Sequence, residues 1–123
     1  MFEIGKLYKL EAFIEIVKLK KDRTFNSDGA RVYNNYYHVY IENNDKSLPE
    51  KDMPVYVGTS PQVDDNEVFP DEVIKMNFWQ WLSDENFQDI IDLAYEQKPN
   101  ATISDFIDCL NYFDNNDDFL DLV

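Results

Sequence analysis

Large apolar side chains recur along this chain with two different periods, and the change of period predicts where strands give way to helices. Over residues 32–41 they alternate with a period of two, on tyrosines and β-branched residues that suit a pleated surface. Val55-Tyr56-Val57 repeats this pattern between Pro54 and Gly58, which are typical of strand ends. Asn26-Ser27-Asp28-Gly29 predicts a tight turn, because Asp-Gly readily adopts positive φ angles.

The last third of the chain has helical spacing with start and stop signals. Ser83 is a typical N-cap followed by two acidic residues, so a helix is predicted from there to about Gln97, before Pro99. Thr102-Ile103-Ser104-Asp105 resembles a capping box and predicts the start of a final helix. The polar residues at 114–118 prefer local hydrogen bonds and are expected to end that helix.

Two earlier segments are less regular. The helical spacing of five apolar residues favours a helix over about residues 5–18, but the β-branched residues Ile14 and Ile16 would also suit a strand. If this segment is extended, the turn at 26–29 would close a hairpin. A short helix is predicted from Pro70 to about Met76, since proline is favoured at the first position of a helix.

Together these elements predict one α+β domain that spans residues 1–123. We expect a small antiparallel sheet packed with an N-terminal helix and two C-terminal amphipathic helices. The 44% apolar content is enough for one hydrophobic core. No apolar run approaches the roughly 18 residues of a membrane span, the N-terminus lacks a secretory pattern, and a single cysteine precludes an internal disulfide. A cytoplasmic location is therefore expected.

The net charge of −14 lies in the second half of the chain. Residues 61–123 contain two basic residues, Lys75 and Lys98, against sixteen acidic ones, whereas the first sixty residues are balanced. A negative electrostatic field repels nucleic acid and anionic lipid, and it attracts basic proteins. We therefore expect a basic protein partner, and we expect no direct contact with nucleic acid or membrane.

Six carboxylates are the candidate partner-binding residues. An α-helix turns by 100° per residue, and four of the six therefore fall in one outward row of the helix predicted after Ser83, opposite its apolar stripe. They are Glu85, Asp89, Asp92 and Glu96, and the same polarity continues in the final helix at Asp105 and Asp108. Repulsion along the row costs on the order of 1 kcal/mol, and no lysine on this helix relieves it before Lys98. The row is interpreted as a docking face for Lys and Arg; a merely solvated face is the alternative.

Catalytic and metal chemistry find little support in the sequence. A catalytic pair of acid and base needs one carboxyl group with a shifted pKa. The acidic row looks exposed and its members look equivalent, so it does not meet this requirement. His38 and Cys109 are the single histidine and cysteine, too few for a usual zinc site, and both are expected to be structural. Residues 114–118 imitate the start of a calcium loop, but Phe119 replaces the required glycine. We expect no enzyme activity, no cofactor and no metal.

A recognisable set of residues in the last third of the chain comprises Asp89-Ile90-Ile91, Ala94, Gln97-Lys98-Pro99, Ala101-Thr102, Phe106, Leu110-Asn111-Tyr112, Asn116-Asp117 and Phe119. Through these residues the chain, over residues 53–123, resembles small acidic bacterial immunity proteins of contact-dependent inhibition and other polymorphic toxin systems. It implies a cytoplasmic protein that binds and neutralises a cognate toxin domain, often a basic nuclease. The alternative is an acidic adaptor or nucleic-acid mimic that binds basic partners without catalysis.

Overall fold

The computed structural model describes residues 3–25, 27, 28, 31, 32, 37–42, 51–59, 62, 63, 67, 68 and 71–120. The helices in these residues are α1 (Leu10–Lys18), α2 (Asp71–Lys75), α3 (Asp84–Gln97) and α4 (Ile103–Asn116). The strands are β1 (Lys6–Lys9), β2 (Thr24–Phe25), β3 (Arg31–Val32), β4 (His38–Glu42), β5 (Pro54–Gly58), β6 (Gln62–Val63), β7 (Glu67–Val68) and β8 (Phe78–Ser83). The predicted α+β class is confirmed.

The main sheet has four antiparallel strands in the order β1-β5-β4-β8. Its centre is β5 next to β4, where Val39 faces Val57 and Tyr40 faces Tyr56. In the described part of the chain, β1 and β8 are therefore the two edges. The pairing of β4 with β8 shifts register between Val39 and Tyr40, so that Trp81 has no directly opposite residue on β4.

The N-terminal segment combines the two structures that its sequence left open. Residues 6–9 form strand β1 on the edge of the sheet, and the helix begins only at Leu10, so the prediction of one helix from residue 5 is wrong for its first turn. Pairing with β5 supplies backbone hydrogen bonds to Lys6–Lys9 that an isolated helical turn would have to make internally. Beyond this point α1 buries Leu10, Phe13, Ile14 and Val17.

Most other predicted elements are confirmed where the structure describes them. Strand β5 contains Val55-Tyr56-Val57. The single strand predicted at 32–41 is confirmed for 38–41, which lie in β4, whereas Val32 belongs to β3 of a separate two-stranded sheet and Tyr37 lies in neither strand; residues 33–36 are outside the described ones. Ser27 and Asp28 lie in a turn, and β2 pairs with β3 around it. The helix predicted from Pro70 is α2, with Pro70 itself outside the described residues.

The two C-terminal helices follow their predicted caps. The Ser83 hydroxyl accepts a hydrogen bond from Asn86 N at 3.2 Å. Thr102 and Asp105 form a reciprocal capping box, with bonds of 2.9 and 3.2 Å. The final helix extends through Asn116, three residues into the polar run, and ends at Asp117 in the left-handed conformation. Beyond the helix, Leu120 packs against the main core.

The hydrophobic core lies between the helices and one face of the sheet. It contains α1 residues, the inward residues of β4 and β5, and the apolar stripes of α3 and α4. Phe87 of α3 is at its centre, with its ring 4.9 Å from that of Phe13 and 6.2 Å from that of Trp81. A smaller cluster on the other face joins Tyr40, Tyr56 and Val73 under α2. No helix in the described residues is long and apolar enough to cross a membrane.

Gly58 is required by the smaller cluster, because the ring of Tyr56 lies over it. A Cβ atom at this position would overlap the ring of Tyr56, which is 7% exposed. We expect Gly58→Ala to lower the free energy of unfolding by about 1–3 kcal/mol, as overpacking of a core does. Urea unfolding measures this loss. In a Tyr56→Leu background the same substitution should cost much less, and an equal cost in both backgrounds would show that the ring is not the cause.

Candidate functional site

The acidic row predicted on α3 is present, but its four members are not equivalent. Glu85, Asp89 and Glu96 are exposed, whereas Asp92 is partly buried. Asp89 also interacts with other groups of the chain. The outward face of α3 is therefore acidic, as predicted, with one carboxylate turned toward the body of the protein.

Asp92 is bound by two cations that precede it by about seventy residues. Arg23 donates to both of its carboxylate oxygens, from Nη1 to Oδ2 at 2.6 Å and from Nη2 to Oδ1 at 3.1 Å. Lys20 Nζ lies 3.4 Å from Oδ1. The repulsion expected along the row is thus partly relieved by the loop after α1, and Asp92 has its charge satisfied inside the chain. This is a structural ion pair, not an open position for a partner.

Arg23 belongs to a buried polar network that the sequence interpretation missed. Its side chain is 5% exposed, and it also contacts the carboxylate of Asp22 and the carbonyl oxygen of Val17, each at 3.0 Å. Burial lowers the pKa of Arg23, but the hydrogen bond to Asp92 and the charges of both carboxylates outweigh it, so the pKa is raised. The guanidinium therefore stays charged and holds α3 to the end of α1.

The second half of this network is centred on Asp22, whose side chain is completely buried. Its Oδ2 accepts hydrogen bonds from Tyr37 Oη at 2.5 Å and from Gln88 Nε2 at 2.8 Å. Burial raises the pKa of Tyr37 well above its ordinary value, and the negative charge of Asp22 raises it further, so the phenol remains a donor. With these donors supplied, the carboxylate of Asp22 is a satisfied structural group.

The two candidates on α4 also differ. Asp105 is the capping-box residue and lies 3.2 Å from Lys98 Nζ. The backbone hydrogen bond from Thr102 and the contact with Lys98 hold the pKa of Asp105 below its ordinary value. Asp108 is exposed. Of the six predicted partner-binding residues, Asp92 and Asp105 are therefore already paired with bases of the chain itself.

More negative charge lies at the end of α4, which was not among the candidate positions. Asp114, Asp117 and Asp118 are exposed, and the last turn of the helix contains no basic residue. The C-terminal end of a helix dipole is itself negative, so these carboxylates reinforce it. Among the described residues, none of the three forms an ion pair with a base. The sequence signal was the polar run at 114–118, which had been interpreted as a helix terminator and as an incomplete imitation of a calcium loop.

The remaining chemically interesting residues have structural surroundings. Cys109 is 3% exposed, and burial raises the pKa of its thiol to about 11, so it is a poor nucleophile at neutral pH. His38 lies in β4 with its ring 6.0 Å from that of Tyr40. In the residues that the structure describes, no group of three or more His, Cys, Asp or Glu side chains could hold a metal ion.

Comparison with known proteins gives one match. The model of a protein family described as "Domain of unknown function (DUF7716)" matches residues 23–122. No curated protein and no solved structure matches the chain. The matched range begins at Arg23 and contains Asp92, so both ends of the long-range ion pair lie inside the family domain.

Proposed function

We propose that this chain, which belongs to the DUF7716 family, is a binding protein. Its acidic helical face binds the cationic surface of another protein. The observation that carries this proposal is the distribution of charge on α3 and α4. Lys20, Arg23 and Lys98 are all paired with carboxylates of the chain itself. Among the residues that the structure describes, Glu85, Glu96 and Asp108 form no ion pair with a base of the chain, and a partner can supply positive charge there.

The partner is proposed to be a toxin domain, and the protein its immunity partner. Nucleases need a cationic groove for phosphates, so an acidic face can occupy that groove and exclude the nucleic acid. The sequence resemblance of residues 53–123 to immunity proteins of polymorphic toxin systems supports this identification, as does the absence of any sequence motif for catalysis. A cytoplasmic location, where such a toxin would act, is part of the same proposal.

Reversing three outer carboxylates to lysine tests the role of this face. The variant carries Glu85→Lys, Glu96→Lys and Asp108→Lys, which are exposed positions in α3 and α4. Asp92 and Asp105 are left unchanged because they form ion pairs, and Asp89 because it interacts within the chain. The proposal requires a basic toxin domain encoded beside the gene. We expect binding to that domain to weaken by about a hundredfold, because attractive charges are replaced by repulsive ones.

The matched control changes the net charge equally at positions remote from this face. It carries Glu42→Lys, Asp52→Lys and Glu72→Lys, which are also exposed. Binding is measured by calorimetry at two salt concentrations, and protection by growth of cells that express the toxin. The control should bind nearly as wild type does. Equal losses in both variants would mean that only net charge matters, and failure of the wild type to bind or protect would reject the immunity function.

A further inference from the structure

Strand β1 has outward-pointing backbone groups on the side away from β5. The hydrogen bond from Leu10 N to Met53 O, 2.9 Å long, continues the register of β1 with β5. Antiparallel strands exchange hydrogen bonds at every second residue pair, so the residues of β1 that bond to β5 are the even-numbered ones. Pro54 has no N–H to donate and faces Lys9, which agrees with this assignment. The backbone N–H and C=O groups of Leu7 and Lys9 therefore point away from the sheet.

This edge of β1 is open to solvent in the part of the chain that the structure describes. Lys6, Leu7 and Lys9 are exposed, and Leu7 is 47% exposed although it is a large apolar residue. Among the described residues, no backbone hydrogen bond reaches Leu7 or Lys9 from outside the sheet. Two donors and two acceptors with the spacing of a strand are thus available to another extended segment.

The two faces of β1 present different side chains beside this edge. Tyr8 faces the helices, since it packs against the main core. Lys6 shares that face, with its Nζ 6.0 Å from the centre of the Tyr8 ring. Leu7 and Lys9 lie on the other face, where Leu7 is directly opposite Tyr56 of β5. The edge therefore offers one lysine on each face and an exposed leucine beside a tyrosine.

Both charged side chains of β1 are lysines that a carboxylate can reach. Lys9 forms no ion pair with any described residue. The Nζ atom of Lys6 lies 3.8 Å from Oε2 of Glu3, but the two side chains are 56% and 62% exposed, so this pair contributes little. Each lysine can therefore pair with a carboxylate on a strand that is added beside it.

We propose that β1 is a docking edge for an extended segment of another protein that carries two carboxylates. The segment adds to the four-stranded sheet as a further antiparallel strand, with its backbone bonded to Leu7 and Lys9. Its side chains follow from the register. An acidic residue faces Lys9, an apolar residue two positions later faces Leu7, and an acidic residue directly after that faces Lys6. The recognised pattern is therefore acidic, any residue, apolar, acidic.

Charge on the edge distinguishes this occupant from a second copy of the chain. Pairing of β1 with β1 of another copy would bring two lysines from each chain into one short ladder. Lysine on an edge strand is a common means of preventing such pairing, whereas a strand with carboxylates gains from the same lysines. The acidic helical face requires a cationic partner and this edge requires an acidic segment, so the inference does not depend on the proposed function.

Amide hydrogen exchange of the protein alone tests whether the edge is open. The amides of Leu7 and Lys9 should exchange about tenfold faster or more than those of Tyr8 and Leu10, because only the latter two bond to β5. Equal protection of all four would show that the edge is already covered, and the inference would fail. Protection of Leu7 and Lys9 that grows with protein concentration would assign the edge to a second copy, which also contradicts the inference.

Binding is tested with a capped eight-residue peptide, Thr-Val-Glu-Thr-Val-Glu-Thr-Val, which contains the recognised pattern. Titration followed by NMR should show that the peptide protects the amides of Leu7 and Lys9. Lys9→Glu should weaken binding by about fivefold or more, whereas Lys21→Glu, an equal change of charge at an exposed lysine after α1, should change it by less than about twofold. Failure of the wild type to bind, or equal losses in the two variants, would overturn the inference. Thermal unfolding of each variant checks that the fold is retained.

Methylation of the peptide backbone separates strand addition from charge attraction alone. A methyl group on the nitrogen of the central valine removes a donor that faces β1, whereas one on the nitrogen of the central threonine lies on the outer side of the added strand. The first should weaken binding by about tenfold or more, and the second by less than about threefold. If the two methylated peptides bind equally well, the peptide is not added as a strand in this register and the inference is wrong.

Discussion

Replacing Arg23 with alanine is expected to lower the free energy of unfolding by about 3 kcal/mol or more, as loss of one partner from a buried ion pair does. The substitution leaves Asp22, with a fully buried side chain, and Asp92 without their guanidinium. We take the lower end of the usual range because 29% of the Asp92 side chain remains exposed to water. Urea unfolding followed by circular dichroism measures the loss.

Lys20→Ala is the matched control for this prediction. Lys20 and Arg23 contact the same carboxylate, but the Lys20 side chain is 52% exposed and that of Arg23 is 5% exposed. An exposed ion pair contributes less than about 1 kcal/mol, so the control should unfold almost as the wild type does. Similar losses in the two variants would show that burial does not determine the contribution of the pair. A small loss in both would show that the network does not hold α3 in place.

Phe87→Ala is expected to destabilise the fold by about 3–5 kcal/mol, a large part of the 5–15 kcal/mol that holds a domain of this size together. Phe87 is completely buried and its ring contacts those of Phe13 in α1 and Trp81 in β8. Its removal leaves a cavity where two helices meet the sheet. These elements could close the cavity only by shifting from their positions, which would disturb their other contacts. Urea unfolding measures the loss. In a Trp79→Phe background, where Trp81 is the sole tryptophan, a red shift of emission reports water entering the cavity.

Phe119→Ala provides the comparison for Phe87→Ala. Phe119 is 38% exposed and its ring contacts that of Phe113, so truncation should cost no more than about 1 kcal/mol. This variant should therefore keep the fold. If Phe119→Ala unfolds the protein as readily as Phe87→Ala, residue 119 is part of the core.

The internal ion pairs change which carboxylates can serve a partner. An acidic row deduced from helical periodicity treats its members as equal, but Asp92 and Asp105 are occupied by Arg23 and Lys98. The charge that remains available shifts toward the outer face of α3 and the end of α4. A binding surface based on this charge should therefore tolerate changes at Asp105 better than changes at Asp114, apart from the loss of the α4 cap.

Local sequence determined those features of the fold that depend on neighbours in the chain. Ser83 and the Thr102–Asp105 box set the starts of α3 and α4 because a cap needs residues only three apart. Pro54 and Gly58 bounded β5 for a similarly local reason. The apolar periodicity of the C-terminal helices identified their buried faces, and composition alone established the excess of negative charge.

Tertiary structure decided the features that depend on residues distant in sequence. Residues 6–9 and 78–83 became edge strands because a neighbouring strand was available to accept their backbone hydrogen bonds, which periodicity within either segment cannot reveal. Arg23 joined Asp92 because the loop after α1 turns back onto α3. Charge along a helix is read from the sequence, but whether each charge is paired depends on what the fold places against it, since Coulomb interactions act through space and not along the chain.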